Sequence, residues 1–196
     1  MFKVTNYIGA ILYLLLSHTA LQAQTAQMPA AEDFSTGEVV ESTPAIGDYY
    51  AKGSFGDWTL RCLKTEQTQD PCQLFQLMHT PDGSPVAEYN LNPVQSDGLV
   101  IAGANVITPL ETLLTQQLTI QVDDENAKIY PFAFCVQMGC VAGIGLTEED
   151  LDSYRSGAQA IITMFPAAAP TKPERLTLSL TGFTAGHEAL MGTIGN

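Results

Sequence analysis

The brevity of its apolar segments limits this chain more than any other feature. From residue 57 to residue 180, strand-forming side chains come in short runs, each closed by Gly, Pro, Asn or Asp. Residues 57–63 alternate, placing Trp58, Leu60 and Cys62 on one face. Residues 73–78 follow the turn signal Asp70-Pro71, and residues 86–91 follow Asp82-Gly83, a strong hairpin signal. Further runs at 99–102, 118–122, 128–135, 140–146, 160–165 and 175–180 bring the total to eight or nine, with residues 123–126 as a turn. One helix is legible: Thr147-Glu-Glu-Asp150 has the form of a capping box, Leu151 and Tyr154 follow, Arg155 sits in the last turn, and Gly157 closes it. Residues 166–173 read as a loop. Short strands with so little helix predict an all-β sandwich with one or two short helices.

A length of 196 residues fits one domain, once the N-terminus is set aside. Lys3, the apolar run at 8–16 and the small-residue ending Leu21-Gln-Ala23 have the order of a secretory signal peptide, residues 1–23. Nine apolar residues are about half of the ~20 that span a bilayer. The run at 98–104 is shorter still, so no membrane span is expected in the mature chain. No cysteine lies near the cleavage site to carry a lipid. Residues 24–50 hold Glu32, Asp33, Glu38, Glu41 and Asp48 with no basic residue, and Pro29 and Pro44 interrupt them. That composition predicts a disordered acidic leader. The folded domain is then expected at 51–196.

The four cysteines are Cys62, Cys72, Cys135 and Cys140. An even count in an exported chain reads as two disulfides, with three connectivities possible. Cys62 and Cys72 flank a polar segment that can fold back between strands. Cys135 and Cys140 enclose Val-Gln-Met-Gly, where Gly139 can supply the positive φ of a tight turn. The spacing favours Cys62–Cys72 and Cys135–Cys140, each closing a loop for about 2–3 kcal/mol. Zinc is disfavoured, because neither His79 nor His187 is near a cysteine in sequence and the pair spacings are not those of zinc ligands. A redox CxxC is absent.

Charge narrows the partners. Lys and Arg total 8 against 21 Asp and Glu, a net charge of −13, which argues against nucleic acid and against anionic lipid. No motif for catalysis, cofactor or metal is present: there is no HExxH, GxSxG, GxGxxG or Walker loop. His79 and His187 read as surface residues or local hydrogen-bonders. Asp123, Asp124 and Glu125 read as a solvated turn rather than a calcium loop. Glu148, Glu149, Asp150 and Asp152 read as helix-capping acids. Trp58, alternating with Leu60 and Cys62, reads as core.

The combination Phe55-Gly-Asp-Trp-x-x-x-Cys62, Cys72 and Tyr130-Pro-Phe-x-x-Cys-x-x-x-Gly-Cys140, with the ending Leu178-Ser-Leu-Thr-Gly-Phe-Thr-Ala185, resembles the invasion-associated locus B family over residues 50–192. A departure is Thr108-Pro-Leu-Glu-Thr-Leu113, where the family tends to carry Pro-x-Gly. The resemblance implies an exported, immunoglobulin-like β-sandwich of Gram-negative bacteria with no established catalytic residues. It further implies a periplasmic location, with outer-membrane association or secretion as variants. The resulting expectation is a non-catalytic binding module with no cofactor, whose partner is an envelope or host protein. The alternative is a periplasmic enzyme that uses paired carboxylates on a carbohydrate.

Overall fold

The computed structural model describes residues 35–38, 43–94 and 98–194. The chain divides into two units, residues 1–41 and 42–196. The expected signal peptide and most of the expected leader lie outside the described residues. Among the described residues, the second unit holds all of the strands and both helices.

Residues 47 and 48, inside the segment read as leader, are tied into the fold: Gly47 N donates to Lys64 O (2.9 Å) and Lys64 N to Asp48 O (2.8 Å). Strand β1 (Tyr49–Phe55) begins there, so the boundary expected at 51 falls within a strand. After it come β2 (Trp58–Leu63), β3 (Cys72–His79), β4 (Pro85–Pro93) and β5 (Ala102–Thr108). These five strands form an antiparallel meander. The outer places in their sheet are taken by β9 (Gly139–Leu146) and β8 (Phe132–Val136), giving the order β1-β2-β3-β4-β5-β9-β8. The second sheet has the order β11-β10-β6-β7, from β6 (Leu118–Val122), β7 (Lys128–Tyr130), β10 (Gln159–Met164) and β11 (Glu174–Ser179).

The alternation seen in sequence places the core between the sheets. Trp58, Leu60, Leu74, Leu91 and Val106 from the larger sheet are buried with Leu118, Ile162, Leu176 and Leu178 from the smaller one. Gln76 ties the layers as well. Its amide nitrogen donates to Ser179 O (2.9 Å) and its oxygen accepts from Ser179 N (2.7 Å), so a side chain of β3 stands in for the strand that edge strand β11 lacks.

Helix α1 (Glu148–Ser156) carries the expected capping box: Thr147 accepts from Asp150 N, and Asp150 accepts from Thr147 N. Helix α2 (Phe183–Met191) packs Phe183, Gly186, His187 and Leu190 inward. The fold is thus the all-β sandwich expected, with two short helices and two disulfides.

The run at 128–135 is not one strand. It breaks at Pro131, which cannot donate to a ladder, and its halves enter different sheets. The run at 99–102 likewise ends where β5 begins. Leu99 is exposed, and Val100 lies over Gly145 instead of in a ladder.

Candidate interaction surface

Two of the sequence signatures meet in space. Gly56 closes the β1–β2 hairpin at φ 56°, and Gly182 precedes α2 at φ 86°. A Cβ on Gly56 would overlap Thr181 O, and one on Gly182 would overlap Phe55 O. Only glycine permits this close approach. Asp57 N donates to Thr181 O (3.1 Å), and Ser179 Oγ donates to Asp57 Oδ2 (2.5 Å). Beneath this joint Trp58 is fully buried, edge-on to Tyr89 (ring centroids 5.7 Å apart) and to Phe183 (5.4 Å). Among the described residues Trp58 Nε1 has no acceptor. The Tyr89 hydroxyl donates to Tyr154 Oη (3.3 Å), closing the cluster against α1. The rings are buried beneath an exposed rim of Gly56, Asp57 and Thr181; the constellation is a folding joint.

The cysteines sit directly opposite each other on neighbouring strands. Cys62 on β2 is joined to Cys72 on β3, and Cys135 on β8 to Cys140 on β9, each with Cα atoms 4.0 Å apart. In the second hairpin Gly139 has φ 149°, and a side chain there would overlap Thr108 O. The turn therefore lies flush on the end of β5. Where the sequence departs from Pro-x-Gly, Thr112 closes the turn itself: its hydroxyl donates to Pro109 O (2.7 Å).

The groups capable of acid–base work are separated and already engaged. Asp70 accepts from Thr65 N (2.8 Å), from the Tyr50 hydroxyl (3.0 Å) and from Lys64 (3.2 Å); the Thr65 backbone N–H leads in holding its carboxyl down at about 2. Asp150 is buried, which works to raise its pKa, but the Lys128 ammonium and the Thr147 cap outweigh burial and leave it below its ordinary value. A general acid for glycoside chemistry needs a raised carboxyl beside a second carboxylate. Asp70 and Asp150 are shifted down, the opposite of that requirement.

Asp123 is more than a solvated turn residue. Its carboxylate accepts from Ala158 N (2.9 Å) and Gln159 N (3.1 Å), pinning the β6–β7 turn to the start of β10. His79 is exposed. His187 is not the surface residue expected: it is buried and stacked on Phe183 with ring centroids 5.8 Å apart, and burial, seconded by Arg155, lowers its pKa. No cluster of three or more His, Cys, Asp or Glu suited to a metal occurs among the described residues.

The outer faces of the two sheets differ. On the smaller sheet the outward row Arg175, Thr163, Thr119 and Ile129 lies beside Thr177, Ile161 and Gln121, a mostly polar surface. On the larger sheet the register sets Leu77, Glu88, Ile107, Val141 and Phe134 side by side. Glu88 is the one charge in that row, and it is drawn to Arg61 (3.1 Å), whose guanidinium stacks on Phe75 at 3.7 Å. Beyond the row, Val136 and Met138 carry the apolar surface to the hairpin tip. Phe134 is 56% and Met138 76% exposed. A hollow of about 240 Å³ opens between Leu77, Val86, Ile107, Pro109 and Met138.

The family model described as "Invasion associated locus B (IalB) protein" matches residues 58–191, more than half of the chain. The chain belongs to the invasion-associated locus B family. A crystal structure of invasion associated protein b from Bartonella henselae superposes with a TM-score of 0.61 at 21% identity, covering 74% of this chain and 98% of that one. The likeness shows the shared sandwich fold. No curated protein sequence matches the chain.

Within the invasion-associated locus B fold, the signature residues are accounted for by architecture: two glycines that touch, a buried indole and two cross-strand disulfides. The residues of the apolar row were not singled out by sequence. Their signal was present in β3, where Leu77 is apolar at a position whose neighbours on the same face, Gln73 and Phe75, are only partly covered. Recognising the row required the strand register, which brings Leu77 and Ile107 onto one face with Phe134.

Proposed function

We propose that this chain is an exported, non-catalytic binding module of the bacterial envelope, and that the outer face of its seven-stranded sheet holds a protein partner of the envelope or of a host cell. The observation that carries this reading is the apolar row of Leu77, half-buried Ile107 and Phe134, with Val141 buried between the last two, continued by Val136 and Met138, on a chain of net charge −13. An antiparallel sheet with one solvated face ordinarily presents polar side chains there. The smaller sheet does so, whereas the larger is polar around Arg61, Gln73 and Asn90 and apolar along this row. Contiguous exposed apolar surface marks interaction sites.

Export is supported by the signal-peptide pattern at 1–23, by two disulfides of the kind oxidising compartments sustain, and by family membership. The proposed organisation is a signal peptide at 1–23, an acidic leader that ends ahead of Gly47, and the sandwich domain from there to residue 196, with a periplasmic location and outer-membrane association or secretion as its variants. Among the described residues no helix is long and apolar enough to cross a membrane.

Crosslinking in intact cells, followed by fractionation, tests the proposal. The chain is expected in the periplasmic or released fraction, in an adduct that Ile107→Lys abolishes and Thr163→Lys retains. Recovery in the cytoplasm with residues 1–23 attached, or an adduct indifferent to Ile107→Lys, overturns it.

A further inference from the structure

The four sheet edges are not equally guarded. β1 carries Lys52 and a register break between Ala51 and Gly53. β7 has only three residues and begins with Lys128. β11 begins with Glu174 and Arg175, and Gln76 occupies Ser179 at its other end. Short edges, charges and bulges are the devices that stop one sheet from pairing with another. On β8 a register break between Phe132 and Phe134 guards the first residues, but the stretch 134–136 is regular. It is also uncharged: residues 129–147 contain no Asp, Glu, Lys or Arg.

The backbone of that stretch is aimed outward. Cys135 and Cys140 face each other with Cα atoms 4.0 Å apart, the close spacing of a non-hydrogen-bonded antiparallel pair. In such a pair the N–H and C=O of each residue point away from the other strand. Those of Cys135 therefore point off the sheet, where β8 has no neighbour among the described residues.

We infer that two copies of this chain join edge to edge through β8, antiparallel about a two-fold axis at Cys135, so that their seven-stranded sheets run on as one. The strand is complementary to itself. Cys135 of each copy exchanges both backbone hydrogen bonds with Cys135 of the other, the isologous arrangement of a two-fold interface. Phe134 then lies opposite Val136 of the second copy, and the reverse, giving two aromatic–β-branched pairs on the outer face.

Charge selects this occupant. A chain of net charge −13 repels its own copies over most approaches, whereas the neutral 129–147 hairpin offers no acid to draw in a basic strand and no base to draw in an acidic one. The strand that fits is neutral and apolar, and the second copy supplies it. Joining the edges also lays the two apolar rows side by side, so the inference goes beyond the function proposed above without depending on it.

The test is sedimentation equilibrium of the mature chain over a range of concentrations, with Val136→Lys beside the wild type and Thr177→Lys as a control on the other sheet. Wild type and Thr177→Lys are expected to form dimers at high concentration. Val136→Lys, which places a cation opposite Phe134 on an exposed site, is expected to stay monomeric with an unchanged unfolding midpoint. Spin labels at Met138→Cys report the geometry: the hairpin turn lies two to three residues along β8 from the axis, which places them about 15–20 Å apart. A chain monomeric at every concentration, a dimer that survives Val136→Lys, a label distance far from that value, or a monomer whose β8 crosslinks only to a different protein overturns the inference.

Discussion

Gly56 and Gly182 show how a single missing atom holds this fold together. Each occupies a left-handed backbone conformation, and each has a carbonyl oxygen where its Cβ would be. Gly56→Ala or Gly182→Ala must strain the backbone and also separate the β1–β2 hairpin from α2. Each is expected to cost upward of about 2 kcal/mol, read from urea midpoints. Gly143, with open space around its α-carbon, should tolerate alanine with little change.

His187 predicts a pH response whose sign follows from its burial. Its folded pKa lies below the ordinary 6.5, because burial, with Arg155 nearby, opposes the charged form more than Glu148 and Glu188 favour it. The unfolded chain therefore takes up a proton before the folded chain does. Stability is full above pH 6.5 and declines as pH falls from there through the folded pKa, where it levels off. His187→Asn should flatten the unfolding midpoint across that window. An equal decline in the variant would assign the effect to other groups.

At the level of elements, the β8–β9 hairpin is the piece whose stability rests most on covalent closure. Among the described residues β8 has one neighbouring strand, and Ala133 through Val136 are exposed. The Cys135→Ser/Cys140→Ser variant is expected to lose about 2–3 kcal/mol. Amide exchange should rise first in residues 132–140, ahead of β2 and β3. Closing the longer Cys62–Cys72 loop should contribute roughly 0.6 kcal/mol more on entropic grounds, a difference that parallel denaturation of the two double variants measures.

Elements differ in how far their sequence announced them. β2, β3, β4 and α1 were legible because alternation, Asp-Gly and a capping box are local signals. Helix α2 has no such signal: its N-cap is Gly182 with no side-chain cap, and Gly186 lies within it. Glycine there costs about 1 kcal/mol of helix propensity. Tertiary packing decides the matter, since a Cβ on Gly186 would collide with Leu74 of β3. β1 was hidden for a related reason, its short burial pattern being imposed by β2 rather than by its own apolar content. The outcome for 128–135 turned on Pro131, whose missing N–H breaks the run between two sheets.

Across the whole molecule, acid should destabilise the domain a second time below the histidine window. The Thr65 N–H foremost at Asp70, and Lys128 with Thr147 at the buried Asp150, hold both carboxyls below their ordinary 3.8. The folded state thus releases these protons more readily than the unfolded chain. Their contribution is present above that value and is lost as pH falls through the folded pKa values, which for Asp70 is about 2.

Composition described the molecule as uniformly acidic, and three-dimensional placement shows otherwise. The residues of the outer row come from β3, β4, β5, β9 and β8, which span the length of the domain, so no window of sequence contains the surface. The proposed function requires that surface to be a contact face. Its most direct test is a photo-crosslinking amino acid placed in turn at Leu77, Ile107, Thr163 and Thr177 in intact cells. A crosslinked partner is expected from Leu77 and Ile107 and none from Thr163 and Thr177. Equal crosslinking from both sheets, or products from the threonine face alone, would contradict it.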